Sequence, residues 1–142
     1  MWHMASGGPD VGAFRSALTI PDNPITWTNQ DAISQIPRSQ DLTVNWSSSA
    51  TIAVLGSSAN PSTGAGAAFY CIPASADSSS LTVPAWVLSS LPASGPASDL
   101  PVPVGFLALG VTLSSPARFQ TTGIDAGYFN WAWARIKNVQ YK

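Results

Sequence analysis

Leu42-Thr43-Val44-Asn45-Trp46-Ser47 and, beyond a short Ser-rich link, Thr51-Ile52-Ala53-Val54-Leu55-Gly56-Ser57-Ser58 are the two stretches that decide the fold class. In the first, Leu42, Val44 and Trp46 alternate with Thr43, Asn45 and Ser47. A period of two sends successive side chains to opposite faces, so this is a half-buried strand. The second stretch is apolar and rich in β-branched residues, which suits a strand. The short link between them predicts a hairpin.

Working outward, the same pattern of short strands and turn residues recurs. Asn60-Pro61-Ser62-Thr63-Gly64 is a turn by composition, and a strand over 66–72 ends at Pro73. Another strand covers Ser80-Leu81-Thr82-Val83, and Pro84 to Leu91 makes a short helical turn that Pro92 stops. The Pro-rich stretch 92–103 is a loop. A strand follows over 104–113, with Gly105 and Gly110 as bulge points. Residues 117–121 make a short strand, 122–127 a turn, and 128–141 one long final strand. Toward the front, 17–20 and 25–29 are short strands separated by Pro21-Asp22-Asn23-Pro24. No long window carries a helical apolar stripe. The prediction is an all-β, antiparallel, immunoglobulin-like sandwich of about 8–9 strands with one helical turn near 84–91. Residues 1–13, opening Met1-Trp2-His3-Met4-Ala5-Ser6-Gly7-Gly8, read as a vector-derived leader or flexible N-terminus, and 14–142 as a single domain.

Composition narrows the chemistry. Of 142 residues 45% are hydrophobic and 9% charged, and the net charge is −1, so the chain has the apolar content to fold and no global field for a polyanion. Nucleic acid is therefore not an expected partner. The longest mostly apolar run, Pro101 to Leu113, is broken by prolines and falls short of the roughly 20 residues that span a bilayer, so no membrane association is expected. The sole histidine, His3, falls in the expected leader, and there is no glutamate. A Ser/His/Asp triad, a Cys/His dyad or a His-based zinc site would then lack an essential member, and the chain is expected not to be an enzyme.

Individual motifs point the same way. Gly64-Ala65-Gly66-Ala67-Ala68-Phe69 begins like a dinucleotide fingerprint but has Phe69 where the third glycine belongs. All seven acids are aspartates spread one per turn, where they bond their own backbone rather than forming a catalytic pair. A structural calcium could be held by the Asp22-Asn23 and Asp99 loops; no other cofactor and no metal ligand set is expected. Cys71, in Ala67-Ala68-Phe69-Tyr70-Cys71-Ile72, reads as a small buried hydrophobe. Trp27, Trp46 and Trp86, each alone in its apolar segment, read as core or rim anchors.

One constellation stands apart. Along the last strand Phe129, Trp131, Trp133, Arg135 and Lys137 share one face, and Tyr128, Asn130, Ala132, Ala134 and Ile136 share the other. Either the aromatic face is inward and carries Arg135 and Lys137 with it, unless a bulge near Ala134 changes the phase, or it is outward. An outward face would be a stacking platform for sugars or a strip that pairs with another chain, including a second copy through this last strand. The platform candidates are therefore Phe129, Trp131, Trp133, Arg135 and Lys137, and no catalytic residues are assigned. Lys137 is also the lysine that an isopeptide cross-link to a neighbouring Asn or Asp would use.

The succession Pro24-Ile25-Thr26-Trp27-Thr28-Asn29, Ile36-Pro37-Arg38-Ser39-Gln40-Asp41 running into Leu42-Thr43-Val44-Asn45-Trp46, Val54-Leu55-Gly56-Ser57-Ser58, Phe69-Tyr70-Cys71 and Leu81-Thr82-Val83-Pro84-Ala85-Trp86-Val87-Leu88-Ser89-Ser90-Leu91-Pro92 resembles an uncharacterised β-sandwich module. That module lies near the C-terminus of large secreted acidobacterial proteins, some with immunoglobulin-like repeats. The resemblance runs from about residue 14 to the end and transfers no site residues. Trp131 and Trp133 are bulkier than the small and β-branched residues the group leads one to expect. The resemblance implies an extracellular, non-catalytic module of unknown role, and the leading expectation for this chain is a structural or adhesive module on the bacterial surface, with protein neighbours as partners. The alternative is a carbohydrate-binding module that holds a polysaccharide on the aromatic strip.

Overall fold

Val44 and Trp46 are buried while Thr43 and Ser47 are exposed, so the alternation read in the sequence is the alternation of the strand. The computed structural model describes residues 2–19, 22, 24–48, 50–95, 104–111 and 116–142. In chain order the elements are β1 (Trp2–Ala5), β2 (Phe14–Ala17), β3 (Ile25–Trp27), a 3-10 turn (Gln30–Ala32), β4 (Gln35–Ile36), β5 (Leu42–Ser48), β6 (Ile52–Asn60), β7 (Ala65–Cys71), β8 (Ser80–Val83), helix α1 (Ala85–Ser89), β9 (Gly105–Val111), β10 (Ala117–Thr121), β11 (Ile124–Phe129), β12 (Trp133–Asn138) and β13 (Gln140–Tyr141). They form two compact units, Met1–Asn23 with Leu113–Ala132, and Pro24–Thr112 with Trp133–Lys142.

The larger unit is the sandwich. One sheet has the order β3-β5-β8 and the other β12-β9-β6-β7, while β13 pairs in parallel with β4. That is the ABE and GFCC′ arrangement of an immunoglobulin-like fold, with residues 72–79 forming turns where a D strand would lie. The parallel pair is a departure from the all-antiparallel expectation. The inner faces supply Ile25, Trp27, Val44, Trp46 and Val83 from one sheet and Ile52, Val54, Leu107, Leu109 and Val111 from the other, all buried. Each sheet thereby removes its apolar face from water, which is what holds two sheets together.

Two local expectations are corrected. The stretches 42–48 and 51–58 do not form a hairpin: β5 pairs with β3 and β8, and β6 with β7 and β9. The Ser48 hydroxyl donates to the Pro24 carbonyl at 2.8 Å and accepts from the Ala50 N–H at 3.0 Å, tying the end of β5 to β3. The link has none of the Asn-Gly or Asp-Gly chemistry of a tight hairpin, so the chain crosses from one sheet to the other. The second correction concerns Gly105 and Gly110, which pair in unbroken register in β9 and are not bulges. The helical turn falls where expected, at Ala85–Ser89, and the Asp41 carboxylate accepts from the Ala85 N–H at 2.7 Å, satisfying one of its free donors. The loop 96–103 and residues 112–115 lie outside the described residues.

The penultimate residue closes this unit. Tyr141 is fully buried, donates its hydroxyl to the Phe106 carbonyl at 3.0 Å, and donates its backbone N–H to the Ser94 hydroxyl at 3.0 Å. Burial raises its phenol well above the ordinary tyrosine value of 10.0. An unfolded tyrosine loses its proton near that value while the native one keeps it, so the native state then binds more protons than the unfolded state. The stability Tyr141 contributes is full below pH 10.0 and falls as pH rises above it. Chemical denaturation between pH 9 and pH 11 should show a downward slope that is shallower in Tyr141→Phe, by up to about 1.4 kcal/mol per pH unit.

The smaller unit joins the N-terminal segment to the stretch between β9 and β12. Where one domain over 14–142 is expected, residues 113–132 associate with residues 1–23, and residues 2–5, expected as leader, form β1 against β2. The Phe14 and Phe119 rings stack with centroids 4.3 Å apart, and the Gly12 N–H donates to the Thr122 carbonyl at 2.8 Å. At the β10–β11 turn Gly123 has φ +90°, and a Cβ there would collide with the Asp10 carbonyl oxygen. Gly123→Ala should cost about 1–2 kcal/mol from the left-handed backbone alone. Amide exchange along β10 and β11 should speed up about 10-fold, while exchange in β6 and β9 should not change.

Candidate contact surfaces

The structure separates the predicted aromatic strip. The expected single strand over 128–141 is three strands, because β11 ends at Phe129 and β12 begins at Trp133. Phe129 pairs with Ala117 in the smaller unit, and Trp131, also in that unit, lies outside any strand with its N–H donating to the Asn130 side chain at 2.9 Å. Trp133, Arg135 and Lys137 remain together on β12 of the sandwich. A change of pairing partner breaks the strand, and periodicity within a strand does not encode partners.

The face that Trp133, Arg135 and Lys137 occupy follows from the register. They lie opposite Val111, Leu109 and Leu107, all buried, and the β12–β9 ladder runs without a shift. Residues directly opposite in a ladder project from the same side of the sheet. The aromatic and cationic face therefore points the way the core residues point, and no bulge near Ala134 intervenes. The cations tolerate this because β12 is an edge strand whose long side chains reach the rim. The Lys137 ammonium donates to the main-chain carbonyls of Gln30 at 2.6 Å and Asp31 at 3.4 Å. It is thus bonded to backbone oxygens. Trp133 stays 37% exposed.

The opposite face of the same sheet holds the surface that the strip was expected to be. Ile136 pairs with Ala108, Ala108 with Leu55, and Leu55 with Tyr70, so the four form a continuous row across all four strands. Ala134, Gly110 and Ala53 make the row on one side, and Asn138, Phe106, Ser57 and Ala68 the row on the other. None of these residues is charged. Ile136 is 62% exposed and Tyr70 55%. The signal for this face was present in Ile52-Ala53-Val54-Leu55, an unbroken apolar run that demands apolar neighbours on both faces of its strand.

Trp27 and Trp46 are buried and face each other across β3 and β5, as expected of core anchors. Asn29 bridges the same region, accepting from the Trp27 indole at 3.1 Å and the Asn45 N–H at 2.9 Å while donating to the Thr43 carbonyl at 2.9 Å. Trp86 is the exception: it is 75% exposed on α1, because the one-turn helix turns Leu88 to the core and Trp86 away from it. Cys71 is half-buried, and burial raises its thiol pKa, which disfavours the reactive thiolate. Of the calcium loops, Asn23 and Asp99 lie outside the described residues. Among the described residues no group of three His, Cys, Asp or Glu is placed to hold a metal, and no helix is long and apolar enough to cross a membrane. No family model, curated protein or solved structure matches the chain.

Proposed function

We propose that the chain is a non-catalytic contact module of a secreted protein, acting as a structural or adhesive β-sandwich at the bacterial surface. The observation that carries this reading is the uncharged row Ile136–Ala108–Leu55–Tyr70 on the outward face of the four-stranded sheet. An uncharged face with Ile136 and Tyr70 exposed on its two edge strands and Ala108 buried between them suits contact with a neighbouring folded protein better than it suits a soluble polysaccharide, whose hydroxyls call for polar partners beside an aromatic ring. Composition and the resemblance to secreted modules support the location. The reading gives Trp133, Arg135 and Lys137 a place at the rim of the sandwich and no ligand.

The test uses the Tyr70→Glu/Ile136→Glu double variant. Both side chains are exposed, so the denaturation midpoint should move by less than about 1 kcal/mol. Binding of the apolar dye anilinonaphthalene sulfonate should fall about 10-fold or more. In parallel, soluble glucans, xylans and mannans should leave tryptophan emission unchanged. A glycan-induced emission shift that disappears in Trp131→Phe/Trp133→Phe would replace this reading with the carbohydrate-binding one.

A further inference from the structure

We propose that two copies of this chain pair edge to edge through β8, antiparallel about Leu81, to make one continuous six-stranded sheet from two β3-β5-β8 sheets. This is a contact independent of the outward sheet face described above. Among the described residues β8 is the outer strand of its sheet, and residues 72–79 form turns that lay no strand along it.

The hydrogen-bond phase decides what that edge offers. The Trp46 N–H donates to the Ser79 carbonyl at 2.8 Å, and bonded pairs alternate with non-bonded pairs along an antiparallel ladder. Val44/Leu81 and Leu42/Val83 are therefore bonded pairs, and Asn45/Ser80 and Thr43/Thr82 are not. Two contacts agree: the Thr43 and Thr82 hydroxyls lie 3.0 Å apart, as close non-bonded pairs allow, and the Asn45 carbonyl accepts from Thr28 on the β3 side. The peptide groups of Ser80 and Thr82 consequently point away from β5, toward the open edge. These two positions are self-complementary. With a two-fold axis at Leu81, Ser80 of each copy meets Thr82 of the other, and all four residues can exchange backbone hydrogen bonds.

Side chains and charge fit the same partner. Leu81 lies opposite the buried Val44, so it points to the sandwich interior, yet it is only half-buried. Beside it is an open cleft of about 370 Å³ whose lining includes Cys71, Ile72 and Thr82. A second β8 laid along the edge sets its own Leu81 at that cleft and covers Ile72, now 62% exposed. No residue of β8 or of the cleft lining is charged, and β8 has no Pro, Lys or bulge to guard it. The edge at β12 differs, since Arg135 and Lys137 would meet like charges in an antiparallel self-pair. The proposed self-pair is therefore placed at β8 rather than at β12. A four-residue edge buries little area, so the dimer should be weak and concentration-dependent.

The experiment is oxidative cross-linking combined with sedimentation of the full chain. In a Cys71→Ser background, Leu81→Cys places two thiols at a non-bonded cross-strand pair about 4.5 Å apart at Cα, within disulfide reach. It should form a covalent dimer at least about 10-fold faster than Ser47→Cys, an exposed position on β5. In equilibrium sedimentation Thr82→Pro removes only the outward N–H and should weaken dimerisation about 10-fold or more. Should that variant fail to fold, Ser80→Glu/Thr82→Glu puts like charges across the axis and should do the same. Leu81→Cys cross-linking no faster than the control, or a folded edge variant sedimenting like the wild type, overturns the proposal.

Discussion

Tyr141→Ala should destabilise the sandwich by about 3–5 kcal/mol, a large fraction of the stability of any domain of this size. Two losses combine. Removing a fully buried ring leaves a cavity between β13, β9 and β6, because the surrounding side chains are held in two sheets and relax only in part. Removing the hydroxyl leaves the Phe106 carbonyl without the donor that now lies 3.0 Å away. Tyr141→Phe separates the two, since it keeps the ring and should cost only about 1–2 kcal/mol. Urea denaturation checks both. The midpoint should fall in that order with the slope nearly constant, and a change in slope would show that the fold itself had altered. Equal effects of the two variants would mean that the hydroxyl bond and not the ring holds the C-terminal strand.

Gly56→Ala should cost about 2–3 kcal/mol despite adding a single methyl group to a β-strand. Gly56 is buried in the middle of β6, where a Cβ would meet the edge of the Phe69 ring and the Tyr141 hydroxyl. Phe69 is its direct partner across the β6–β7 ladder, so the ring lies flat over the position where a side chain would project. Relief requires moving an aromatic ring and breaking the bond from Tyr141 to Phe106. The double variant Gly56→Ala/Tyr141→Phe should therefore cost less than the sum of the singles by about 0.5–1 kcal/mol, since the second change frees part of the space the first one needs. Strict additivity, measured in the same urea experiment, would place the whole collision at Phe69.

These two sites also mark how far the sequence could be read. Alternation at Leu42–Trp46 and turn residues between short apolar runs were enough for the all-β sandwich, because strand period and turn chemistry are local properties of neighbouring residues. The buried status of Trp27 and Trp46, the helical turn at Ala85–Ser89 and the strand at Ser80–Val83 were legible for the same reason. The partner of each strand was not. Nothing local tells β5 and β6 to enter different sheets, or tells 113–132 to join residues 1–23 and divide the expected last strand at 130–132.

The candidate strip is divided among elements at that same level. Phe129, Trp131, Trp133, Arg135 and Lys137 share a face only if they share a strand, and which face is inward depends on the register against β9. The sequence by itself determined the fold class, the near absence of acid–base side chains and the apolar, β-branched character of the β6 stretch. Only the tertiary structure decided that Ile136 and Tyr70 line up across the outward face, that Tyr141 fills the space above Gly56, and that β8 is the outer strand of its sheet among the described residues. Sheet order and register are set by contacts between residues far apart in the chain, and a one-residue change in register would reverse every one of those faces.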